Sequence, residues 1–267
     1  MRNIRLVIEY DGSGFFGWQY QPRRRTIQGE LQFALEKITG KPTTVYGCSR
    51  TDSGVSARNY VANFVTGPGL NPERLRRAVN FHLPRAILVK QAEEAPLDFH
   101  ARYSAKGKTY QYCLVRGRSP LRSSQAWELR SPVDTTRMRR AMRSFQGRHN
   151  FRSFCHLRVP TRNKTGAGPG KPGLSRIAAS NAGDCPGFFA FCTLTRLDVS
   201  ELGDELLITV RGNRFLYKMV RRIVGAVVTY GAGGITLADI RSAIAGRKYK
   251  PFPTAPAHGL VLDRVEY

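Results

Sequence analysis

The sequence predicts an α+β fold: two similar halves with antiparallel sheets and helices on one face, and a cleft between them. Three observations predict it. Short alternating apolar runs outnumber helical ones. Several of those runs are joined by tight turns. The order strand, helix, strand, strand, helix, strand in the first half returns in looser form in the second. The expected division is 1–105 and 106–267, inferred from element order, because no sequence repeat is visible.

Ile4, Leu6, Ile8 and Tyr10 alternate and predict an opening strand, which Asp11-Gly12 ends. Thr26 caps a helix whose apolar face is Ile27, Leu31, Ala34, Leu35 and Ile38; Gly40 and Pro42 stop it. Strands are expected at 43–48 and 59–66. Asn71-Pro72 starts a helix carrying Leu75, Ala78, Val79 and His82, and a strand at 86–93 closes the half. KTYQYCLVRG predicts the next strand. Asp134 caps a helix with Met138, Ala141, Met142 and Phe145 on one side. Residues 158–176, rich in Gly, Pro and Lys, predict a mobile basic loop. Strands at 187–199 and 205–211 follow, turning at Gly203-Asp204. A helix is expected from about Arg214 to Tyr230, a shorter one capped by Thr236, and LVLDRVEY as the last strand.

The 267 residues carry a net charge of +24. A folded domain so basic repels itself without a polyanionic partner. Arg and Lys are scattered along the chain, not gathered in an amphipathic helix or tail, which favours nucleic acid over a membrane surface. Five cysteines form no C-x-x-C pair, so neither a disulfide framework nor a zinc site is expected, and the histidines lack metal spacing. There is no P-loop and no dinucleotide fingerprint. The charged first residues and the lack of a long apolar run predict a cytoplasmic protein with no signal peptide or membrane span.

In GCSRTDSGVSA, residues 47–57, Arg50, Thr51 and Asp52 sit among small residues. Small residues let a bulky ligand reach the backbone. A free aspartate is ionised at neutral pH, and a nearby cation keeps it so. Such a carboxylate is a nucleophile for a sugar or base carbon. By turn chemistry alone, an aspartate bonding the next backbone amides accounts for the same residues.

RGNRFLYKMVRRIVG, residues 211–225, places Phe215, Met219 and Arg222 on one helical face and Arg214, Tyr217, Lys218 and Arg221 near another. It reads either as a core helix with a basic edge or as the source of a guanidinium that reaches a carboxylate. In HARYSAKGKTYQYC, Tyr103, Tyr110 and Tyr112 alternate with Arg102, Lys106 and Lys108, as base stacking with phosphate contact requires; packing explains the tyrosines equally well. Tyr10, Asp11, Trp18 and Gln19 form a loop that lines the cleft or packs beneath it.

Taken together, IEYDGSGFFGWQ, TIQGELQFAL, SRTDSGVSA, DFHARYSAKGKTYQY, RGNRFLYKMVRRIVG and APAHGLVLDRVEY resemble the tRNA pseudouridine synthase A family nearly end to end. The resemblance implies isomerisation of uridine in the anticodon stem-loop of tRNA by a homodimer, without cofactor or metal. It implies that Asp52 is the nucleophile and that Arg50 helps to expel or replace the flipped base. Tyr110 is implied to stack on that base and Arg221 to pair with the aspartate. Thr51, Asn213, Phe215 and Leu216 fall in matching motifs and join Arg50, Tyr10, Asp11, Trp18, Gln19 and Arg102 as substrate-binding candidates. The chain departs from the family pattern at Ser56, where a histidine is usual, and at Tyr217 and Lys218, where two histidines are frequent. The rival readings are a non-catalytic RNA-binding or RNA-chaperone protein and a base-excising repair enzyme.

Overall fold

The computed structural model describes residues 1–69, 71–155 and 190–267. The expected loop at 158–176 lies outside them. The elements are β1 (Arg2–Tyr10), α1 (Ile27–Thr39), β2 (Tyr46–Gly47), β3 (Ser56–Thr66), α2 (Pro72–His82), β4 (Ile87–Ala95), β5 (Gly107–Arg116), β6 (Trp127–Leu129), α3 (Thr135–Arg143), β7 (Gly147–Asn150), a 3₁₀ turn (Arg152–Phe154), β8 (Phe191–Leu202), β9 (Glu205–Gly212), α4 (Met219–Gly231), α5 (Leu237–Ile244) and β10 (Leu260–Glu266). All ten strands join one sheet in the order β4-β1-β3-β10-β5-β9-β8-β7, with β2 added to β3 and β6 to β5.

α1, α2, α3 and α5 begin where short polar side chains satisfy free amides. Asn71 Oδ1 accepts from Arg74 N at 2.8 Å and Asp134 Oδ1 from Arg137 N at 3.0 Å. Thr236 and Asp239 close a reciprocal capping box. α1 packs on α2, α2 on β4, and α3 on α4 and β8. Alternation turns Ile4, Leu6 and Ile8 of β1 opposite Phe64, Ala62 and Tyr60 of β3, and all six are buried. The same buried cluster continues through Leu262, Tyr110, Val210 and the apolar sides of α1, α3 and α4.

Two expectations need correction. The sheets are not separate and not wholly antiparallel: β10 pairs parallel with β3, at Val261–Ser56 and Leu262–Ala57, and antiparallel with β5. The C-terminal strand thereby fuses both halves into one sheet. The helix expected from Arg214 starts only at Met219, because Lys218 has φ +60°, in the left-handed region. Arg214, Phe215, Leu216, Tyr217 and Lys218 are therefore irregular chain, and the helical faces assigned to them do not exist.

Smaller differences are local. The strand expected at 43–48 is reduced to Tyr46–Gly47, and that at 59–66 begins three residues earlier. The strand expected at 187–199 runs Phe191–Leu202, residues 187–189 lying outside those described.

Candidate active site

Asp52 lies in the turn between β2 and β3. Val55 N–H donates to Asp52 O at 3.1 Å, and Gly54 has φ +80°, the geometry of the third position of a type II turn. Immediately afterwards Ser56 and Ala57 pair with β10, so the turn is anchored where the sheet's two halves fuse. Side-chain hydroxyls hold it in place. Tyr10 Oη and Thr51 Oγ1 are 2.9 Å apart, and Ser53 Oγ donates to Phe15 O at 3.1 Å. Tyr60 Oη donates to Ser49 O and accepts from Ser49 N at 3.3 Å. Trp18 stacks on Tyr60 with centroids 4.1 Å apart. Ser56 Oγ accepts from Gly12 N at 3.0 Å, giving this departure from the family pattern a structural task.

Arg221 comes from the first turn of α4. Its Nη1 donates to Asp52 Oδ2 at 2.7 Å and its Nε to Ala255 O at 2.7 Å. Ala255 N–H returns a bond to Arg221 O at 3.1 Å. The guanidinium is thus fixed at two points, and a charge-assisted bond fixes the carboxylate. The Arg221 and Asp52 side chains are 14% and 12% exposed, so the pair is largely shielded yet reachable from solvent. Asp52 Oδ1 has no hydrogen-bond partner among the described residues. An ordinary turn aspartate would bond the amides that follow it; this one faces a guanidinium from the other half of the chain.

Tyr110, on β5, stands opposite Leu262 and Val210 in the middle of the sheet. Its hydroxyl lies 3.3 Å from Ser49 Oγ, and Phe215 meets its ring edge-on at 4.9 Å. Burial is the main cause that pushes the Tyr110 phenol well above the usual tyrosine range. The Ser49 bond opposes the shift, and the charges of Cys48 and Asp52 add to it. The phenol is therefore neutral at physiological pH.

The structure gathers Thr51, Asp52, Tyr10, Tyr110, Phe215 and Arg221 around one turn. Tyr10, Trp18 and Thr51 are buried and act as its support. Arg50 is exposed beside Asp52. Asp11 and Gln19 are exposed and bonded locally, to Ser13 N and to Gln28. Asn213 Oδ1 accepts from Thr193 N at 2.9 Å, tying the chain before α4 to β8. Arg102 is exposed on the turn before β5, and Leu216 is half-buried. Sequence reasoning missed Ser49, Tyr60 and the Ala255 carbonyl. The motifs SRTDSGVSA and APAHGL contain two of these, but a backbone acceptor has no residue signature.

The described residues hold no cluster of His, Cys, Asp or Glu arranged for a metal, and no helix among them is long and apolar enough to cross a membrane. Comparison with known proteins supplies the reaction. A family model described as tRNA pseudouridine synthase matches residues 6–104 and 178–267. The tRNA pseudouridine synthase A of Clostridium botulinum is 36% identical, that of Brevibacillus brevis 35%, and that of Caldicellulosiruptor bescii 37%. Each alignment covers 100% of both chains. These likenesses favour the catalytic reading over a non-catalytic RNA-binding one. The chain belongs to the tRNA pseudouridine synthase family and is an isomerase that converts uridine to pseudouridine in tRNA.

Proposed function

We propose that Asp52 is the catalytic carboxylate and that the target uridines lie in the anticodon stem-loop. The observation that supports the role of Asp52 is its bond to Arg221 at 2.7 Å with Oδ1 left free, in a turn of small residues. In the reaction the C1′–N1 bond breaks, the base turns, C5 bonds to C1′, the C5 proton leaves and N1 gains one. The target base leaves its stack first, at a cost of a few kcal/mol. Asp52 Oδ1 attacks the ribose or C6, or serves as base at C2′ on a glycal route; all three need an anion held against displacement. Arg221 supplies that hold. Arg50, exposed at the rim, occupies the space of the everted base. Tyr110 stacks on the base. As a neutral phenol it passes the C5 proton on through Ser49 Oγ or water, and does not retain it.

The family resemblance extends the reading to a cytoplasmic homodimer in which one tRNA touches both subunits. Chemical mapping of pseudouridine in tRNA from cells with and without this protein tests the target. Loss confined to the anticodon stem-loop supports it, and loss confined to another arm refutes it. Sedimentation equilibrium tests the dimer.

A further inference from the structure

Lys108 lies on β5 two residues before Tyr110, on the same face of the strand. It stands opposite Gly212 of β9 and Val265 of β10. Two residues beyond Gly212 is Arg214, next to the Phe215 that packs on Tyr110. Two residues beyond Val265 is Tyr267, whose hydroxyl donates to Ala101 O at 2.7 Å and fixes the turn bearing Arg102. Arg102 and Arg214, from two other segments of chain, thus come within electrostatic reach of Lys108. Among the described residues none of the three pairs with a carboxylate.

Lys108 is half-buried, whereas Arg102 and Arg214 are exposed. Burial, as the main cause, pulls its ammonium below the usual lysine range. Cys48 opposes this, and the charges of Arg102 and Arg214 add to it. A partly desolvated cation facing two like charges is unfavourable unless an anion completes the group. We propose that Lys108, Arg102 and Arg214 form a phosphodiester site that holds the backbone of the everted nucleotide beside Tyr110. The site rests on the tRNA reading above. A backbone phosphate is the anion that an everted nucleotide brings to this place, and three such donors can share its oxygens.

The test uses the full-length enzyme and an unmodified tRNA transcript. Lys108→Met keeps the apolar stem and removes the charge. It should weaken tRNA binding about tenfold and flatten the slope of log affinity against log salt by about 0.7, the value for one phosphate contact on a single strand. Lys108→Arg should restore both, and Arg214→Gln, at an exposed position, should flatten the slope similarly. Unchanged affinity and slope in Lys108→Met and Arg214→Gln overturn the proposal. Weaker binding with an unchanged slope also overturns it, since it assigns Lys108 to a neutral base or ribose oxygen. Failure of the tRNA reading looks different: the wild-type enzyme itself then leaves the transcript unmodified.

Discussion

Asp52 and Arg221, 169 positions apart in the chain, meet at 2.7 Å. One comes from a turn beside the fused sheet, the other from the first turn of a helix. The Ala255 carbonyl fixes the arginine from behind. These two bonds hold the guanidinium against the carboxylate, and each can be removed separately.

Arg221→Lys keeps a positive charge but cannot bond Ala255 O and Asp52 Oδ2 together as the planar fork does. We expect kcat to fall about 100-fold with little change in KM, and Arg221→Met to fall further. Steady-state kinetics on tRNA measures both. A rise in KM alone would mean that Arg221 only binds substrate.

Gly225 allows residues 253–255 to lie against α4. A Cβ at this position would be 1.9 Å from Pro253 O. Gly225→Ala should therefore displace the Ala255 carbonyl, lowering stability by about 1–3 kcal/mol and kcat as well. Denaturant melts and kinetics on the same sample check the pair of effects. Loss of stability with full kcat would show that the Ala255 bond is dispensable.

Tyr110→Phe removes the Ser49 contact but leaves the ring against Phe215. Because burial raises the phenol's pKa, Tyr110 does not become a phenolate base on the way to high pH. The variant should retain kcat to within about tenfold and show the same alkaline limb as the wild type. Tyr110→Ala, without a ring to stack, should lose far more. An alkaline limb that disappears in Tyr110→Phe would assign the titration to this hydroxyl.

Stability should fall in alkali. Burial pushes the Cys48 thiol up to about 11 and holds the Tyr10 and Tyr60 phenols well above their usual range. In the unfolded chain these groups ionise from about pH 8.5 to 10. From the lower end of that range upward the unfolded state binds fewer protons than the folded one, so unfolding free energy decreases as pH rises; at lower pH both states are fully protonated at these groups and the dependence vanishes. Calorimetric Tm values from about pH 8 to pH 11 measure the slope. Cys48→Ala should remove its earliest part.

Much of this architecture could be read from local signals. The caps at Thr26, Asn71, Asp134 and Thr236 mark four helix starts because each satisfies amides within its own first turn. The start of α4 was not legible. Its apolar spacing extends back to Phe215, and only the left-handed Lys218 interrupts it. The pairing of β10 with β3 was equally hidden, since nothing in LVLDRVEY distinguishes a parallel neighbour from an antiparallel one. At the site, Asp52 and Arg221 were legible as members of specific motifs, but their contact is a tertiary fact. Tyr10, expected to bind substrate, and Tyr60, which the sequence did not single out, are both buried, and their hydroxyls hold the loop.

The central claim is that the Asp52 carboxylate performs the chemistry. Tritium release from tRNA labelled at uridine C5 by Asp52→Asn enzyme tests it most directly, because the amide keeps the shape and loses the charge. The account predicts wild-type tRNA affinity with release reduced by at least about 1000-fold. Tritium release at the wild-type rate from this variant would contradict it.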